Sequence, residues 1–191
     1  MNNDDNFILG DIPEIFLPEN EDSFKNSYCS ICGAELFDDG FMVEKAFVKN
    51  EKLMKPELIF EIHVCFKCIR SLNEEMSKES IEKIEQFRKE RFLNDYYEKL
   101  LENEEYKISK WLKYCTITHN KIKDCSEFNI VGFFVQDAMF YKPFPMAVSF
   151  EGMMEVEEIY SKKTKDVIDD FFDSLPPDIR KIVKDQGKVF I

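Results

Sequence analysis

Basic residues are in short supply in this chain. Its 191 residues carry 26 Lys and Arg against 38 Asp and Glu, a formal net charge of -12. A surface of that sign repels phosphate backbones and disfavours nucleic acid as a partner unless a local patch overrides the total. The two basic clusters, Arg88-Lys89-Glu90-Arg91 and Lys162-Lys163-Thr164-Lys165, are short. They read as one side of a helical salt-bridge pattern, not as a phosphate groove. Glycine and proline are also sparse, at 6 and 7, which excludes repeats and long flexible linkers. No apolar run approaches the roughly 18 residues of a membrane span. Met1 to Gly10 contain Asp4 and Asp5 but no basic residue, and no apolar segment follows. A secretory signal is therefore not expected, and the expected compartment is the cytoplasm.

Signatures of catalysis are missing as well. The chain has no G-x-x-x-x-G-K-[ST], no G-x-G-x-x-G and no G-x-S-x-G. Neither of its 2 histidines, His63 and His119, lies in an H-E-x-x-H motif. His119-Asn120-Lys121 has a superficial likeness to an HNH nuclease, but a catalytic histidine of that kind belongs inside a zinc-bound hairpin. Carboxylates are plentiful, and no pair of them stands out as acid and base.

What the chain does have is apolar mass and cysteine. Hydrophobic residues make up 44% and aromatic residues 14%, including 19 Phe, which is ample for a packed core. Of its 6 cysteines, four form the pairs Cys29-Ser30-Ile31-Cys32 and Cys65-Phe66-Lys67-Cys68. Two C-x-x-C pairs a few tens of residues apart have the spacing of a tetrahedral Cys₄ zinc site. Four thiolates fill the coordination sphere and leave no position for a substrate, so a site of this kind is structural. A disulfide framework is the competing reading. The size of the chain and the missing export signal argue against it.

Along the chain, residues 1–25 are acidic, with the apolar anchors Phe7-Ile8-Leu9 and Ile15-Phe16-Leu17. They read as an extended arm that docks by those anchors or as a solvated terminus. Strand character marks Phe41 to Val48 and Leu58 to Val64, joined by the polar stretch Lys49 to Glu57. A helical period follows Cys68, through Ile69, Leu72, Met76, Ile81, Ile84 and Phe87, with Ser77 or Ser80 available as a cap. Residues 72–113 read as one long helix or two stacked ones, in which Phe92, Leu93, Tyr96, Tyr97, Leu100 and Leu101 continue the buried side. Asn129 to Val135 is the strongest later strand. Phe140-Tyr141 and Met146 to Phe150 suggest another, interrupted at Lys142-Pro143-Phe144-Pro145. Residues 155–175 are helical, and Pro177 opens a last helix. The expected fold class is α+β, with an acidic arm at 1–25, a treble-clef zinc module at 26–77 and an α+β core at 78–191 packed on that module. The core is expected to hold a long helix, a small antiparallel sheet and C-terminal helices.

The order knuckle, two strands, knuckle, helix puts the second cysteine pair at a helix start, where N–H groups favour thiolate charge. Tyr28-Cys29-Ser30-Ile31-Cys32-Gly33, followed by Val64-Cys65-Phe66-Lys67-Cys68-Ile69, resembles the Cys₄ zinc-binding domain at the N-terminus of the ClpX unfoldase family. The resemblance covers about residues 26–77, well under half the chain, and implies one structural zinc ion on Cys29, Cys32, Cys65 and Cys68. In that family the module recognises adaptors and substrates and self-associates. The resemblance thus implies a protein partner, or a homodimer through the zinc module. The gap between the pairs is longer than that family's, and no ATPase follows.

Three functional readings stand at this stage. The first is an adaptor, inhibitor or immunity-type protein that acts by binding another protein through the arm at 7–17 or the Lys142–Pro145 turn. The second is a zinc-dependent hydrolase with a second site at Cys115, His119 and Cys125, where C-x₃-H-x₅-C offers three ligands and Asp124 or water a fourth. Against it, Cys115 follows the apolar run Trp111, Leu112 and Tyr114 and reads as a buried thiol. The third is a nucleic-acid-associated regulator. His63, two residues before Cys65 on the same strand face, is a candidate ligand or hydrogen-bond donor to the zinc site, although a packed strand histidine accounts for it as well.

Overall fold

The computed structural model describes residues 7–186, except 20, 22, 26, 38, 39, 51–54, 93, 94, 143 and 144. Those residues form a mixed α/β arrangement with one antiparallel sheet. Its strands are β1 (Leu9–Asp11), β2 (Phe41–Asn50), β3 (Lys55–Cys65), β4 (Glu127–Val135), β5 (Ala138–Phe140) and β6 (Met146–Ser149). The sheet order is β1-β5-β4-β2-β3, and β6 also pairs with β4. The helices are α1 (Phe66–Glu75), α2 (Lys78–Arg91), α3 (Asp95–Glu102), α4 (Ile108–Trp111), α5 (Phe150–Ile159), α6 (Lys162–Asp173) and α7 (Pro177–Gln186).

The sheet is larger than the sequence suggests, and the reason lies in β2. Its residues Phe41 to Ala46 are all buried, whereas a strand with one wet face alternates. One edge of β2 pairs with β3, placing Phe41 opposite Cys65 and Lys45 opposite Glu61. The other edge pairs with β4, placing Phe41 opposite Phe134 and Val43 opposite Gly132. The hairpin between the cysteine pairs is therefore continuous with the later strands.

Successive side chains on β2 point to opposite faces. Phe41, Val43 and Lys45 share the face covered by the N-terminal arm. There the Phe24 ring sits 4.9 Å from Phe41 and 5.4 Å from Phe134, and Phe16 sits 5.4 Å from Phe134. Gly132 makes this approach feasible, because a Cβ there would meet the Phe16 ring at 3.0 Å and the Phe134 ring at 2.8 Å. The arm also adds β1 to the sheet edge, with Leu9 opposite Phe140. Phe16, one of the expected anchors, and Phe24, which lies outside them, are both fully buried, so this stretch of the N-terminal segment docks. Met1 to Asn6 of the expected arm lie outside the described residues, as does part of the Lys49 to Glu57 connection.

The helices are shorter than the apolar period predicts. The one long helix or two stacked ones expected over 72–113 are four, the end of α1 followed by α2, α3 and α4, with breaks at Met76-Ser77, after Arg91 and after Glu102. The pattern over 155–175 divides between α5 and α6 at Tyr160-Ser161. Both Ser77 and Ser161 are N-caps, accepting from Ser80 N at 3.1 Å and Thr164 N at 3.2 Å. The two caps also interlock. Ser77 N donates to Thr164 Oγ1 at 3.1 Å, Ser161 N donates to Ser80 Oγ at 2.8 Å, and the two cap hydroxyls lie 2.8 Å apart. Each helix start thus satisfies a backbone donor of the other, and hydroxyls take the place of carboxylates in a reciprocal capping box. Pro177 opens α7, and Phe150 opens α5 instead of ending a strand, because Ser149 Oγ accepts from Gly152 N at 3.3 Å.

The opposite face of β2 carries Met42, Glu44 and Ala46. Glu44 is 1% exposed; its Oε1 accepts from Asn129 Nδ2 at 2.6 Å, and Oε2 has no hydrogen-bond partner among the described residues. Burial pushes its carboxyl up from the ordinary 4.5 to about 8, against the opposing effect of the Asn129 hydrogen bond. Folding therefore takes up a proton between pH 4.5 and about 8. Stability is greatest below the lower value and falls as pH rises across that window. Glu44→Gln removes this term. Its melting temperature relative to the natural chain should rise steadily from pH 5 to pH 8 and then level off. A difference that does not change with pH would place the Glu44 proton elsewhere.

Candidate metal centre

The first cysteine pair sits on a tight turn. Gly33 N donates to Cys29 O at 2.9 Å and Cys29 N to Ala34 O at 2.7 Å. Gly33 has φ +70, in the left-handed region that glycine enters without steric cost. The turn is fastened to the hairpin by two hydrogen bonds at one residue: Ser30 N to His63 O at 2.7 Å and His63 N to Ser30 Oγ at 3.0 Å. The second pair sits where β3 becomes α1. Cys65 is the N-cap of α1 and Cys68 lies in its first turn. Phe66 N reaches back to Gly40 O at 2.8 Å, and a Cβ at Gly40 would fall 2.2 Å from the Phe66 ring. Hairpin register then closes the site, because Phe41 faces Cys65 across the ladder.

The four sulfurs lie within 4.8 Å of one another. Cys29 and Cys68 are 3.9 Å apart and Cys32 and Cys65 are 3.8 Å apart. A tetrahedral ion with metal–sulfur bonds of about 2.3 Å requires sulfur–sulfur edges of about 3.8 Å. A disulfide requires about 2.05 Å, and all four thiols are free. The donor set thus fits a tetrahedral metal ion. Cys29 and Cys65 are buried, while Cys32 is exposed at the rim.

Without a cation the cluster is electrostatically uncomfortable. Burial pushes the Cys65 and Cys68 thiols up. Cys32, held by the Ala34 backbone N–H, is drawn down to about 7. A divalent ion inverts this balance, because its charge repays the desolvation of the thiolates it binds.

His63 does not join the four sulfurs. Its Nε2 lies 2.5 Å from Glu61 Oε1, and its ring packs edge-on against Phe24 at 5.3 Å. It supports the site through its backbone. Glu61 Oε2 in turn pairs with Lys45 Nζ at 2.8 Å, and Lys45 donates to the carbonyl of Leu17 in the arm. Burial pushes the Glu61 carboxyl up, but the hydrogen bonds from His63 and Lys45 outweigh it and hold the group below its ordinary value. This chain of a buried Lys and a half-buried Glu and His ties the arm to the hairpin beside the cysteines. A strand lysine between Glu44 and Ala46 was the one visible signal of it, and its partner depends on register.

Cys115, His119 and Cys125 do not converge. Cys115 is fully buried, and its sulfur accepts from Thr118 N and Ser149 N, each at 3.3 Å. His119 Nε2 faces Arg91 O at 3.1 Å, and Cys125 Sγ faces Lys121 O at 3.5 Å. Among the described residues, the candidate metal group is Cys29, Cys32, Cys65 and Cys68. No helix among them is long and apolar enough to cross a membrane. Comparison with protein-family models, curated proteins and solved structures finds no match.

Removing one partner of a buried ion pair strands the other charge. Lys45→Met should therefore cost about 3 kcal/mol of stability, and the double variant Lys45→Met/Glu61→Gln should recover part of it. Urea unfolding at neutral pH measures both. A single variant within about 0.5 kcal/mol of the natural chain would show that the chain of charges does not hold the arm.

Proposed function

We propose that this chain is a zinc protein whose Cys₄ site is structural, and that it acts by binding another protein. The observation that supports zinc best is the four-sulfur cluster with edges of 3.8 and 3.9 Å. Soft thiolates in a tetrahedral set suit zinc, and four protein ligands leave no open position for a reacting group. Free thiols of this kind persist in a reducing cytoplasm. In this reading the cysteine turn, the β2–β3 hairpin and α1 are the parts of a treble clef. In that reading the ion fastens Cys29 and Cys32 to the start of α1, as in the ClpX-type domain that residues 26–77 resemble.

The protein-binding role rests on the arm. Its inward anchors are spent on the core, yet Phe7, Leu9 and Ile15 remain 65%, 51% and 42% exposed. Apolar side chains held outward on a docked, acidic segment suit a protein partner. The Lys142–Pro145 turn, the other contact surface suggested by the sequence, lies partly outside the described residues. Self-association through the zinc module at 26–77 is the alternative.

Elemental analysis of natively purified protein should give one zinc per chain. Cys65→Ser should lose it and become protease-sensitive across 26–71, since metal binding in such modules supplies about 10 kcal/mol of folding free energy. Cys115→Ala and His119→Ala should leave the count unchanged. A chain variant with Phe7→Ser, Leu9→Ser and Ile15→Ser should keep its zinc and its melting curve but lose its co-purifying protein, whereas a dimer that survives these changes would assign self-association to the zinc module. Two zincs in the natural chain, one of them lost in Cys115→Ala, would replace this reading with the hydrolase.

A further inference from the structure

A cleft of about 430 Å³ opens between the start of α3 and the loop after α4, far in the chain from the four cysteines. It is lined by Asp95, Tyr96, Tyr97, Tyr114 and His119. Three features give it chemical character. Its aromatic walls stand at right angles: the Tyr96 ring meets Tyr97 at 78° and Tyr114 at 85°, with centroids 5.4 and 5.1 Å apart. Their hydroxyls are already engaged with backbone, Tyr96 with Lys110 O at 2.8 Å and Tyr97 with Tyr114 O at 3.3 Å. Tyr97 is buried and stacked on Trp111, so the π-surface offered to a ligand is that of the half-buried Tyr96 and Tyr114. The Asp95 carboxylate is exposed in the first turn of α3.

The loop holding the opposite wall is built under constraint. Tyr114 bridges to Lys121, Cys115 N donates to Asn120 O at 2.7 Å, and His119 N donates to Cys115 O at 2.9 Å. Closing that turn puts His119 at φ 60, a left-handed conformation that costs a side-chain-bearing residue energy. The strained residue is the one whose imidazole lines the cleft.

We propose that this cleft is a binding site for a guanidinium group. Aromatic faces carry negative potential and attract cations, and a planar guanidinium stacks on tyrosine while forking onto a carboxylate. An overall charge of -12 adds long-range attraction for a cation. The site already shows the preference internally: Lys113 Nζ lies over the Tyr114 ring at 5.1 Å from its centroid. Lys113 is exposed, and its ammonium competes with an incoming cation. The guanidinium belongs either to an arginine in a peptide or to a free small molecule, and the two sources differ in whether flanking amides contribute.

The experiment is a titration of the full-length natural protein, followed by backbone amide NMR shifts. The probes are N-acetyl-arginine amide, methylguanidine and the neutral isostere N-acetyl-citrulline amide. The expected result is saturable shifts confined to residues around 95–97 and 114–121 for the arginine probe and none for citrulline. Asp95→Asn should weaken arginine binding about tenfold. Lys113→Met, which removes the competing cation, should tighten it about threefold. Tighter binding of N-acetyl-arginine amide than of methylguanidine would assign the site to a peptide arginine, and equal binding to a free guanidinium compound. Equal binding of citrulline, shifts scattered over the acidic surface, or an Asp95→Asn variant that keeps its fold and full affinity would each overturn the proposal.

Discussion

Strand β2 has a partner on each edge, and most of what is distinctive about this molecule depends on that double pairing. Its ladder to β3 holds Phe41 opposite Cys65, and its ladder to β4 holds Phe41 opposite Phe134. The first pairing brings the second cysteine pair to the first. The second welds the hairpin onto the later strands, so both faces of β2 must be covered. The arm covers one face with Phe16 and Phe24. A one-residue slip would exchange the faces of Glu44 and Lys45 and destroy both arrangements at once.

Those two neighbours show how the same strand handles buried charge in opposite ways. Lys45 meets Glu61, which also meets His63, so a carboxylate is kept ionised by two hydrogen-bonded partners. Glu44, one residue earlier and on the other face, meets a single amide and is pushed towards its neutral form. Protonation is the cheaper solution when no cation is at hand. The four cysteines pose the same problem, with burial raising Cys65 and Cys68, and their geometry suits a metal ion as the missing positive charge.

Several elements were legible in the residues because the signal was local. The C-x-x-C pairs named the four sulfurs that cluster. The β-branched and aromatic runs named β2, β3 and β4, and Pro177 marked the start of α7. Ser77 was visible as a cap because capping needs only neighbours in sequence. Helix length was not legible. The apolar period runs on through Met76 and Tyr160, and the breaks there are stabilised by hydroxyls of one helix start reaching the other, 81 to 87 residues away in the chain. Nor was the size of the sheet, since strand character says nothing about which strands pair. The C-x₃-H-x₅-C segment had plausible ligand spacing, but a tight turn sends its side chains to different partners, with Cys115 turned into the core.

The sequence by itself determined the acidic surface, the apolar mass for a core, the thiol donor set and the approximate places of the strands. All of these depend on residue type and on spacing over a few positions. Tertiary structure alone decided that Cys29 and Cys68 lie 3.9 Å apart, that Lys45 finds Glu61, that Glu44 is left with one partner, and that three tyrosines and Asp95 line one cleft with His119. Each of those facts joins residues far apart in the chain. It is fixed by strand register and helix packing, which are set by the whole core and not by any short stretch of it.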